Sequence, residues 1–256
     1  MTDELWITHV LNVALARPIE LVLGWLRLNT PNSVVMRTFH LQPANAAAPI
    51  PDSVAMAILV AVLLALFGTW VGRSLSVADP KTRQQVVEVG WLGLEGHSEE
   101  VIGHGGKQFL NYLFTMALFI LVGNLIGLVP GLESPTATES VTIGLALTVF
   151  VYYHQVGLKR HGALGYGKTF MGPFWWLSWL IGPLEIISHI ARLMSLSVRL
   201  YANMYAGEII TTIFVALLPV AGVVFMGLHL FVALLQTYIF VVLAMVYLQG
   251  ALAEEH

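Results

Sequence analysis

The chain contains no cysteine, which removes disulfide frameworks and thiolate metal sites and leaves its redox compartment unreadable. Charge is scarce as well: only 11% of the 256 residues are Asp, Glu, Lys or Arg. No Lys/Arg-rich patch offers a surface to nucleic acid, and the net charge of -3 is small. No glycine-rich phosphate loop is present, so nucleotide chemistry is expected elsewhere. The first residues, MTDELW, are acidic where a signal peptide would be basic, and no small-residue cleavage site follows an apolar core. A retained N-terminus is the expectation.

What is abundant is apolar. With 57% hydrophobic residues and a mean hydropathy of +0.78, the chain has too little polar surface to cover a soluble globule, and an all-α polytopic membrane protein is predicted. A helix needs about 20 apolar residues to cross the hydrocarbon. Spans are expected at 53–72, 109–129 and 141–158, the last two joined by the short polar turn GLESPTATES. Two longer apolar segments follow, 174–218 and 221–252, parted by PVAG at 219–222, which makes about five membrane helices in a domain over 51–256. A 45-residue helix would be roughly 67 Å long, more than twice the hydrocarbon thickness. It must tilt, lie partly in the interface, or break.

Charge placement sets the orientation. Arg73, Lys81, Arg83 and Lys107 follow the first span and Lys159, Arg160 and Lys168 follow the third, whereas the 130–140 turn carries only Glu133 and Glu139. The basic connections are expected in the cytoplasm. Residues 1–50 and the Pro219 turn then lie outside and the C-terminal EEH inside. Arg17, Arg27 and Arg37 oppose this unless HVLNVALARPIELVLGWL, residues 9–26, is an interfacial amphipathic helix.

Two arginines remain, Arg192 and Arg199, both inside the fourth apolar segment. An arginine at bilayer depth costs at least about 2.5 kcal/mol, so it faces a partner or a water-filled cavity. At about 100° per residue from Glu185, His189 falls near 40°, Arg192 near -20°, Arg199 near -40° and Asn203 near 0°. One stripe holds all five. The next segment adds His229 and Gln236, seven residues apart and so on one face. If the two segments fold back about Pro219, residues equidistant from it should meet: Glu208 with His229, and Asn203 or Arg199 with Gln236. Glu185 then lies roughly 21 Å to the cytoplasmic side of Arg199 and Glu208 roughly 13.5 Å to the outer side. Arginine keeps its proton at any working pH, so Arg199 cannot relay one. The pattern describes two half-paths and a barrier between them.

At these residues the chain resembles subunit a of the F-type ATP synthase. SLSVRLYANMYAGEII, HLFVALLQTYIFVVLAMVYL and the terminal EEH carry the likeness, with NLIGLVPG and PTATESVTIGLALTVF in support, over roughly residues 50–256. The resemblance implies that Arg199 is the stator arginine facing the rotor carboxylate of the c-ring. It implies that Asn203, Glu208, His229 and Gln236 line the outer half-channel and that Glu185, with His189 and Arg192 on its stripe, belongs to the cytoplasmic one. It further implies a long inclined helical hairpin against the c-ring, a peripheral-stalk subunit b and the rest of the synthase as partners, no cofactor, and residence in a bacterial plasma membrane. The chain departs from the family pattern at Ala202, where glycine is common, and at Gly127, where some members carry an acid. The second departure turns attention to Glu133 and Glu139 at the outer entrance. Glutamate and histidine along the path favour H⁺ over Na⁺.

Other readings fit less well. A stand-alone transporter would also need intramembrane charge, yet no inverted repeat is visible. His154, His189 and His229 could ligate metal, but no two of them stand at a paired ligand spacing. His97 and His104 in EGHSEEVIGHGGK are expected in a solvated connection, and FWWLSWL at 174–180 is expected to anchor and pack at the interface.

Overall fold

Pro51, whose ring presets an extended-to-helical entry, precedes the first long apolar helix, and Asp52 at its start does more than favour the helix dipole. Its carboxylate accepts from the backbone N–H of Leu5 at 3.3 Å and from the Thr8 hydroxyl. This ties a short helix, α1 (6–13), to α2 (Asp52–Gly72), where Ile7 packs with Ala55, Met56, Val60 and Ile126. The structure is a computed structural model and describes residues 5–13, 51–73, 75–77, 79–103, 105–129, 131–169 and 178–252. The expected interfacial helix at 9–26 lies outside the described residues beyond residue 13, as do Arg17, Arg27, Arg37, His104, EEH and most of FWWLSWL.

Five described helices are long and apolar enough to cross a membrane, and they follow the expected spans closely. They are α2, α4 (Leu110–Ile126, entered through the 3₁₀ turn Gly106–Phe109), α5 (Glu139–Thr169), α6 (Ser178–Leu217) and α7 (Pro219–Leu252). The protein is an all-α polytopic membrane protein. The remaining helix, α3 (Thr82–Ile102), falls in the connection expected to be merely solvated. Only Gln84 and Ser98 are buried along it, and it lies against the bundle through Trp91 on Phe114 and His97 on Tyr238. Arg83 over the Trp70 ring at 4.4 Å joins its start to the end of α2. At its other end Gly103 and Gly105, at φ 85° and 110°, reverse the chain, and Lys107 ties the turn back to Glu95 at 2.7 Å.

The third span is longer than expected. It continues past 158 to Gly162, whose φ of 72° and ψ of 167° break the helix before a second stretch ends at Thr169. The long fourth segment does not break: α6 runs for 40 residues with Pro183 inside it, roughly 60 Å of helix. Leu218 and Pro219 then turn the chain tightly into the 34 residues of α7. Gly222 passes so close to Val215 that an added Cβ would stand 2.7 Å from the Val215 Cα, and Phe214 stacks on Phe225 with ring centres 3.9 Å apart. The hairpin is thereby closed at its tip. Behind it Leu113, Ile120, Leu200, Met204, Phe240 and Met245 interleave α4, α6 and α7 without solvent exposure. In lipid such contacts act through close packing, not through exclusion of water.

Candidate functional site

The polar stripe of α6 divides into three regions along the hairpin. Near the Pro219 end, Glu208 projects toward the turn between α4 and α5, and its Oε1 accepts the backbone N–H of Ser134 at 2.8 Å. Gly127 makes the room: a Cβ there would lie 2.7 Å from the same oxygen. A cavity of about 350 Å³ opens here, lined by Glu133 and Glu208 together with Gly127, Leu132 and Thr212. Glu139, at the first residue of α5, is exposed and does not line it.

A buried polar chain continues inward from Ser134. Its hydroxyl donates to the Gly123 carbonyl at 2.9 Å and touches the Thr136 hydroxyl at 2.7 Å. Thr136 donates to Asn124 Oδ1 at 2.6 Å, and Asn124 Nδ2 donates to the Ala233 carbonyl at 3.2 Å and to Thr237 at 3.3 Å. Sequence reasoning missed Asn124, Ser134, Thr136 and Thr237, because single small polar residues in apolar helices and turns carry no charge to betray them.

His229 is 3% exposed and Gln236 1%. Asn203 Nδ2 donates to Gln236 Oε1 at 2.8 Å, the expected pair across the hairpin. The other expected pair is displaced by one residue. The His229 ring rests on Gly207, where an added Cβ would meet it at 3.2 Å, and no ion pair with Glu208 is found among the described residues. Adjacent helical residues point about 100° apart, so a ring set on Gly207 leaves Glu208 free to turn to Ser134. Among the described residues, His229 Nε2 and Gln236 Nε2 are buried without a hydrogen-bond partner.

Arg199 sits between the polar regions. It is half-exposed, and its Nη2 lies 3.4 Å from Ser195 Oγ one turn earlier. It makes no ion pair among the described residues and no hydrogen bond to Gln236. To one side of it on α6, about 80–100° round the helix, Val198 and Ile209 are 51% and 40% exposed, and Tyr205, Met194 and Ile190 continue that uncovered side further round, each at least 46% exposed. Toward the start of α6, His189 Nε2 approaches Glu185 Oε1 at 3.4 Å, and the Arg192 guanidinium stands 5.8 Å from the centre of the Tyr247 ring. Two residues outside the expected set join them: Tyr153 Oη lies 2.8 Å from His189 Nδ1, and the His154 ring lies 4.9 Å from that of His189. No group of three or more His, Asp or Glu among the described residues is placed to hold a metal.

Known sequences resemble this chain over most of its length. Residues 54–249 match the family described as ATP synthase A chain. ATP synthase subunit a of Koribacter versatilis (strain Ellin345) is 46% identical over 257 residues, covering all of both chains. Subunit a of Solibacter usitatus (strain Ellin6076) is 42% identical, covering 83% of this chain and 92% of its own. That of Geobacter sulfurreducens is 40% identical, covering 84% and 94%. The chain belongs to the ATP synthase A chain family, whose role is that of the proton-translocating stator subunit of the synthase membrane sector.

Proposed function

We propose that Arg199 is the stator cation of this subunit, set against the rotor carboxylate of a c-ring on the uncovered face of α6. The observation that carries this reading is the partly exposed Arg199, which makes no ion pair among the described residues and borders the uncovered side of α6 at Val198 and Ile209. A cation left so at membrane depth is costly unless a partner supplies an anion. A rotor carboxylate crossing a dry contact meets a desolvation penalty of several kcal/mol. At about 4 Å and an effective dielectric near 20, an arginine returns roughly 4 kcal/mol, which favours the ionised carboxylate as it passes. The proton must leave before that contact and be replaced after it, so ion flow requires rotation.

The outer half-path on this reading starts at the cavity of Glu133 and Glu208, with the exposed Glu139 as a further acid of the outer entrance, and reaches Asn203, Gln236 and His229. Unpaired buried polar atoms such as His229 Nε2 and Gln236 Nε2 cost about 1–3 kcal/mol each when dry, which a hydrated path would relieve. The cytoplasmic half-path contains Glu185, His189 and Arg192. The basic connections favour an orientation with the Pro219 turn and residues 1–50 outside and the C-terminus in the cytoplasm, residues 51–256 forming the membrane domain in a bacterial plasma membrane. The subunit performs no chemistry on nucleotides and works only with the c-ring, the peripheral-stalk subunit b and the catalytic sector.

Because the chain lacks cysteine, a disulfide trap tests the facing surface directly. Val198→Cys, at a position 51% exposed, should cross-link to a cysteine placed beside the rotor carboxylate. Leu200→Cys, at a position with no exposure, should not. Equal yields at the two positions, or none at Val198→Cys in an assembled complex, would remove the proposed interface.

A further inference from the structure

The Tyr153 and His154 side chains of α5 have no place in the half-paths described above, yet they enclose His189. His154 Nδ1 lies 2.8 Å from the Phe150 carbonyl. A carbonyl oxygen only accepts, so Nδ1 carries the hydrogen and Nε2 is the basic nitrogen. The same logic orients His189: Nε2–H points at the Glu185 carboxylate, and Nδ1 accepts from the Tyr153 hydroxyl. The groups facing this pair come from three helices: Tyr153 and Tyr166 on α5, Glu185 and Arg192 on α6, and Tyr247 on α7. Tyr153 is buried, the His189 side chain is 11% exposed and Glu185 34%. Two imidazolium rings with centres 4.9 Å apart beside Arg192 would repel, so the pair holds at most one extra proton.

We propose that His154 is a proton-exchanging residue of the cytoplasmic half-path, taking protons from the Glu185–His189 pair and passing them to water at the cytoplasmic end of α5. This rests on the stator reading above. In the synthesis direction a protonated Glu185 releases its proton through water to the basic Nε2 of His154, leaving a carboxylate on Glu185 and an imidazolium on His154, while His189 keeps its own proton. The same nitrogen then loses one proton to water, and the neutral ring is restored with its Nδ1–H bond to Phe150 unbroken. Neutral His189 keeps the two helices in register through Tyr153 and Glu185. Arg192 limits the lifetime of the charged state and so favours release.

The test uses the intact synthase in vesicles of verified subunit content, with ATP synthesis followed against cytoplasmic-side pH at fixed membrane potential. His154→Asn keeps a donor for the Phe150 carbonyl, and His154→Gln keeps a polar group near the Nε2 position, so the two differ in their risk to packing. Both should slow synthesis at least about tenfold, a threshold set below the roughly 10²–10⁴-fold that a positioned proton-transfer group typically contributes. They should also flatten the dependence of the rate on cytoplasmic-side pH, because the exchanging imidazole is gone. Imidazole added on the cytoplasmic side should restore part of the rate. Glu185→Gln serves as the reference. If Glu185→Gln is slow while both His154 variants keep the wild-type rate and profile, the inference about His154 fails and the stator reading stands. A slow His154 variant with an unchanged profile and no imidazole rescue also overturns it, making His154 a packing residue. If Glu185→Gln and the His154 variants are all unaffected, the cytoplasmic half-path itself is wrong.

Discussion

Glu208 is held by a backbone N–H from a turn 74 residues away in sequence, and this decides how its carboxylate can work. A single backbone donor and an open cavity leave one oxygen able to exchange a proton with water while the other stays fixed. Glu208→Gln should therefore slow proton-driven synthesis by at least about tenfold, since an amide cannot exchange the proton, while assembly is unchanged. Gly127→Ala is the sharper probe, because its Cβ would meet Glu208 Oε1 at 2.7 Å. It should slow synthesis with the carboxylate intact, and Gly131→Ala would be an unsuitable control given its φ of 87°; Gly144→Ala, with open space around it, should be neutral. The sequence made the Asn203–Gln236 pair legible because helical period and the Pro219 turn fix it. The Glu208–Ser134 contact was not legible, since Ser134 precedes a 3₁₀ turn whose path no periodicity describes. The one-residue shift from Glu208 to Gly207 opposite His229 lay within the tolerance of mirror counting.

At the scale of helices, the spans were readable because lipid demands long unbroken apolar runs. α3 escaped because its 21 residues mix Gln, Glu and Gly with apolar positions and never form such a run. The break at Gly162 was equally hidden, as glycine permits a positive φ without requiring one. The hairpin of α6 and α7 aligns the whole polar stripe, so its tip should be sensitive to volume. Gly222→Leu would push a side chain into the Val215 backbone, an overpacking worth about 1–3 kcal/mol or more. It should lower the amount of subunit retained in detergent-extracted complexes and raise its sensitivity to proteolysis. Gly227→Leu, with open space around it, should leave both unchanged.

Across the whole molecule, proton flow and rotation are coupled only if protons cannot pass from one half-path to the other within the stator. The membrane potential supplies about 2.3 kcal/mol per charge per 100 mV, and in the proposed stator role the permanent cation at Arg199 would oppose direct passage while attracting the ionised rotor site. Lysine at that position is a poor substitute, because a desolvated ammonium can lose its proton and lacks the fixed fork of donors; Arg199→Lys should leave little coupled activity. The most direct measurement compares ATP-driven proton pumping with potential-driven passive proton flux for Arg199→Ala, in vesicles whose synthase subunits have been quantified. The account predicts no pumping and no proton-driven synthesis, with passive flux that persists or rises because protonated rotor sites can swing between the half-paths. Substantial coupled pumping by Arg199→Ala in fully assembled complexes would contradict it and make Arg199 a structural charge.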